Sequence, residues 1–262
     1  PEQNLIQRVV KAPESELSSA YVTNLLRTDP NNPKLRLLQA TQALEHGNFA
    51  TLREVLAPAL EAEDPALHRE AVWLLWQASR QEFKKLSAPS STQLETVRLQ
   101  LAQQLTNLAK EDWPTERLIE IAGQAFEFGE PSVGLALYRQ AAERSTEPDE
   151  AAAWLAKGGS VALSYSLYRS SAELYLQARQ KTNDPAQARQ YLLTALRTLQ
   201  SGNLPAEALS MAEQGIGDLA ADRETLFFLT QLARAAGRPD AADRYVRQLL
   251  RLSLLRQLEQ VR

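Results

Sequence analysis

The 262-residue chain has no cysteine, one methionine and two histidines. Without cysteine there is no disulfide, no thiolate metal site and no thiol nucleophile. Histidine, the usual proton carrier near neutral pH, is confined to His46 and His68, 22 residues apart and in no His-Glu-x-x-His spacing. No run approaches the ~20 apolar residues that cross a bilayer, no signal-peptide pattern occurs, and no segment alternates apolar with polar over a strand length. A net charge of −3 and a pI near 5.6 lack the basic excess of a general nucleic-acid binder.

What the chain does contain is a repeated turn. Gly47, Gly129, Gly202 and Gly237, with Ser166 in the glycine place of one copy, are separated by 82, 37, 36 and 35 residues, which fits helix pairs of about 36 to 41 residues. Seven residues before the turns stand Ala40, Ala122, Gly159, Ala195 and Thr230. Five after them come Leu52, Gly134, Ser171 and Ala242, while the Gly202 copy reaches Ala208 only with one extra residue. Leu56, Tyr138, Tyr175 and Val246 then supply bulk, and Ala59, Ala141 and Ala178 supply room for the next pair. Two helices approach closely only where one carries almost no side chain, so these offsets form a packing code.

This pattern resembles the tetratricopeptide repeat, with a small residue in the first helix, glycine at the turn, and alanine and an aromatic in the second. Asp29-Pro30-Asn31-Asn32-Pro33 is similar to that family's inter-repeat linker. The unit from 66 to 110 departs most, with Ser87-Ala88-Pro89-Ser90 at its turn. The resemblance implies an all-α, right-handed superhelical solenoid of antiparallel helix pairs. A partial repeat is expected over 1–28, one continuous repeat domain over 29–250 and an extension of the last helix over 251–262. Hairpins are expected at 33–46 with 49–62, 66–86 with 90–110, 115–128 with 131–145, 149–164 with 167–182, 185–200 with 204–219, and 222–236 with 239–260, preceded by short helices at 3–11 and 16–28. Asp64-Pro65 and Asp184-Pro185 supply an N-cap acceptor and a first-turn proline. Because the chain starts without methionine and stops within a helix, it reads as an excerpt of a longer protein.

Nothing in the sequence gathers catalytic groups, so no enzymatic activity, cofactor or metal is expected. The carboxylate pairs Asp149/Glu150 and Glu61/Glu63 sit near helix ends. Lys157-Gly158-Gly159-Ser160 lacks the full phosphate-loop spacing and falls on the small-residue packing position. The aromatics Trp73, Trp76, Trp154, Tyr138 and Tyr175 are expected in the core, leaving Phe126, Phe227 and Trp113 as candidates for an exposed platform.

In tetratricopeptide domains the first helices line the concave face. By position this implies a partner surface that includes Glu116, Glu120, Phe126, Glu127, Glu130, Ser160, Ser164, Arg189, Phe227, Gln231 and Arg234. The positions where such domains grip a C-terminal carboxylate hold Leu37/Thr41, Ile119/Gly123, Ala156/Ser160, Leu192/Leu196 and Phe227/Gln231, none basic; a folded protein partner fits better. Charge is uneven. Ten acidic residues face Arg117, Arg139 and Arg144 between 111 and 150, and seven arginines face Asp240, Asp243 and Glu259 between 234 and 262.

The final run Tyr245–Gln257 carries leucines at 250, 252, 254 and 255 and is similar to the repeat region of Pel-type exopolysaccharide export proteins. That resemblance implies a periplasmic segment of an outer-membrane-associated protein. It would be a scaffold that recruits a polysaccharide deacetylase/hydrolase and guides the polymer to the pore, with Glu116, Glu120, Glu127 and Glu130 suited to a cationic polysaccharide. The competing expectation is a cytoplasmic regulatory or assembly module that binds a peptide or signalling protein.

Overall fold

The computed structural model describes residues 16–86, 90–215 and 222–260, and every regular element in them is an α-helix. They run α1 (Glu16–Thr28), α2 (Pro33–Glu45), α3 (Phe49–Val55), α4 (Ala57–Leu60), α5 (Pro65–Lys85), α6 (Ser91–Leu108) and α7 (Thr115–Glu127). Next are α8 (Pro131–Arg144), α9 (Pro148–Ser164), α10 (Tyr168–Lys181), α11 (Pro185–Ser201), α12 (Pro205–Gly215), α13 (Arg223–Ala235) and α14 (Pro239–Gln260). The expected helix at 3–11, the turn residues 87–89 and the end of the 204–219 helix lie outside the described residues. The helix expected over 49–62 is interrupted at Leu56. Pro58 has no N–H to give to the helix and its ring crowds the carbonyl of Glu54.

The starts follow from side-chain chemistry. Asn32, Asp64, Asp184 and Asp222 each accept a backbone N–H from the first turn of the helix they precede. Ser90 and Gln93 form a reciprocal capping box on α6.

Four of the turns share one backbone. Gly47, Ser166, Asn203 and Gly237 have φ of 68°, 60°, 58° and 69°. Each donates its N–H to the carbonyl three residues back, and the next residue donates to the carbonyl five back: Asn48 to Ala43, Leu167 to Ala162, Leu204 to Leu199 and Arg238 to Ala233. This is the Schellman closure, which satisfies the orphan carbonyls of the first helix. It corrects the register of one copy: the left-handed residue is Asn203, not Gly202, whose φ is −79°. Ala208 then stands at the same offset from its turn as Leu52, Ser171 and Ala242, so the extra residue lies before the turn. Gly202 serves close approach instead; a Cβ there would stand 2.5 Å from the Tyr168 ring.

The chain divides into two compact units, residues 1–114 with 127–130 and residues 115–126 with 131–262. In the first, α2 packs on α3, α4 and α5, and α5 on α6. Its core joins Ala40, Leu44, Leu52, Leu56 and Ala59 to Ala71, Leu74 and Ala78 of α5. Rings fill the rest: Trp73 meets Trp113 edge-on at 6.2 Å, and Phe128 meets Trp76 at 5.3 Å and Phe83 at 6.0 Å.

In the second unit each helix from α8 to α14 packs on the next. The packing code operates here directly. A Cβ on Gly134 would stand 2.9 Å from the Ala122 carbonyl oxygen and 2.5 Å from the Phe126 ring. The buried Ser171 hydroxyl donates to the Gly159 carbonyl at 2.7 Å. Gly158 receives Tyr138 from the preceding hairpin, whose ring would lie 2.8 Å from any Cβ. The Lys-Gly-Gly-Ser segment is therefore a helix-packing slot, as expected.

Candidate functional site

The nominated surface residues are distributed as follows. In the first unit Glu127 is exposed and held by Arg80 at 2.8 Å, with Lys84 at 3.7 Å; Glu130 is half-buried. In the second unit Glu116 and Glu120 are exposed on α7, and Glu120 pairs with Arg117 at 2.8 Å. The acidic residues proposed to face a cationic polymer are thus partly neutralised by their own neighbours. Phe126 is not on a surface: it is 2% exposed, seated on Gly134 and 5.3 Å from the Tyr165 ring. Trp113 is likewise interior, its indole N–H donating to the Leu108 carbonyl at 2.8 Å. Both lie where glycine slots or tryptophan clusters leave ring-sized space, which helical spacing alone does not reveal.

Ser160 and Ser164 are exposed on α9, Ser160 in hydrogen bond with the Tyr175 phenol and Ser164 donating to the Val161 carbonyl at 2.7 Å. Arg189 is half-buried and ion-paired with Asp222, with a further bond to the Thr225 hydroxyl at 3.2 Å. It is a strut from α11 to α13. The bond from the Thr225 hydroxyl, then its backbone N–H and the Arg189 charge, hold the Asp222 carboxyl below the ordinary range. Phe227, Gln231 and Arg234 share one exposed stripe of α13.

Similar struts join second helices at one-repeat spacing, a regularity that residue types alone do not disclose. Arg139 reaches Gln177 at 3.3 Å, Arg169 reaches Glu207 at 2.7 Å and Arg179 donates to the Gly215 carbonyl at 2.6 Å. Burial pushes the Tyr138 phenol above its usual pKa, in keeping with its place between hairpins. His46 is exposed beside its turn. His68 Nδ1 lies 2.8 Å from the Leu60 carbonyl and so donates to it, closing the loop from α4 to α5. Among the described residues no group of three or more His, Asp or Glu is placed to hold a metal, and no helix is long and apolar enough to cross a membrane.

Open grooves are present among the described residues, in each of the two units. One of about 570 Å³ in the first unit runs between Phe49, Phe83, Leu86 and Val97, with Arg53 and Glu82 paired across its rim. Another, of about 650 Å³, lies between α13 and α14 in the second unit. Its floor is Val246, Leu249, Leu250 and Phe227, and Arg223, Glu224 and Ser253 complete the lining. Phe227 is 60% and Leu250 58% exposed. Sequence spacing singles out Phe227 and the leucines but not Arg223, because pairing of two helices, not order along one, joins them. Neither a family model nor a curated protein matches this chain.

Proposed function

We infer that the chain is a non-enzymatic interaction scaffold whose helix pairs stack as a right-handed, tetratricopeptide-like solenoid and dock a folded protein on the concave face lined by their first helices. The observation that carries this is the fourfold recurrence of one turn, closed by the same backbone bonds at Gly47, Ser166, Asn203 and Gly237. Units that repeat in this way bury apolar surface against neighbours and leave an extended face for a partner. The Pel-type resemblance directs the reading to a periplasmic polysaccharide deacetylase/hydrolase as that partner. The exposed α13 stripe of Phe227, Gln231 and Arg234 is a better contact candidate than Glu120 and Glu127 of α7, which are already paired with neighbouring cations.

Two measurements test it. Small-angle scattering of a solenoid gives a radius of gyration well above the roughly 18 Å of a 262-residue globule; a value at the globular figure removes the solenoid. Surface plasmon resonance of the immobilised chain against a purified Pel-system deacetylase/hydrolase is expected to show binding that Gln231→Glu with Arg234→Glu weakens. No binding by the unaltered chain removes the export reading.

A further inference from the structure

We draw no further inference here: the strongest candidate, the open groove between α3, α5 and α6 in the first unit, carries none because Arg53 and Glu82 on its rim are paired with each other and nothing in the structure shows what covers its apolar floor.

Discussion

The hairpins α5/α6 and α9/α10 close by opposite means. In α5/α6 the space around the helix pair is filled by Trp73, Trp76 and Phe83, which meet Trp113 and Phe128 edge-on. The first turns of α6 stay exposed, Leu94 and Leu99 included. In α9/α10 the helices meet at small residues: Ser171 and the Tyr175 ring lie on Gly159, and Gly158 takes the Tyr138 ring of the previous hairpin. The first arrangement relies on volume supplied by large rings, the second on volume withheld. Each should fail in its own direction, by deletion in one and by addition in the other.

The largest effect is expected from deletion in the first. Trp76→Ala removes an indole that is 2% exposed and should cost about 3 to 5 kcal/mol, because a rigid aromatic cluster collapses poorly around the void. A urea titration followed by near-ultraviolet circular dichroism checks it. A loss below about 1 kcal/mol would mean that the rings are not the core.

Addition in the second unit comes next. Gly134→Val places a branched carbon against the Ala122 carbonyl, which is backbone and cannot swing aside, so about 1 to 3 kcal/mol should be lost. Gly123, on the facing helix α7, has nothing within 4 Å of a Cβ, and Gly123→Ala should gain about 0.8 to 1 kcal/mol from helix propensity alone. Opposite signs at two glycines of one unit isolate close packing from backbone entropy. Equal signs sink the distinction.

How far this is legible from residues alone can be judged at particular positions. Helix starts at Pro65, Pro131, Pro185, Pro205 and Pro239, and the slots at Gly134 and Gly159, are readable because caps and small residues act locally. Sequence spacing places the turn at Asn203 one residue early. Glycine next to asparagine offers two candidates for a left-handed φ, and only the Leu204 to Leu199 bond chooses between them. Phe126 reads as a surface residue because its spacing along α7 matches an inner position; the slot opposite, Gly134, admits the ring and buries it. The α13/α14 groove is half legible. Exposed leucines announce an uncovered face, but Arg223 joins them only through the pairing of two helices.

Capping aspartates extend the comparison at smaller magnitude. Asp64 in the first unit accepts one N–H, from Ala66. Asp222 in the second accepts the Thr225 N–H at 2.8 Å and hydroxyl at 2.6 Å and also holds Arg189. Alanine at either position should cost about 1 kcal/mol, with Asp222→Ala the larger. The pH dependence follows from the lowered Asp222 value. A depressed carboxylate stabilises the fold fully above its unfolded pKa of about 3.9, and that stabilisation is lost as pH falls through the lower folded value. Thermal melts between pH 6 and about pH 3 should therefore converge for wild type and Asp222→Ala; a constant difference down to the lowest pH would show that charge is not the source.

The smallest effect concerns the turn of the glycine-slot hairpin itself. Ser166 holds φ at 60°, a conformation that costs an ordinary L-residue roughly 1 kcal/mol because its Cβ crowds the following carbonyl. Gly47 and Gly237 hold the same turn without that cost. Ser166→Gly relieves the strain but gives the unfolded chain more freedom, so the net gain should be only about 0.5 kcal/mol. Asn203→Gly should gain less, since asparagine tolerates the left-handed region better than serine. Paired melts of the two variants read the difference directly, and a loss on Ser166→Gly would mean that the serine side chain, not the backbone angle, stabilises this turn.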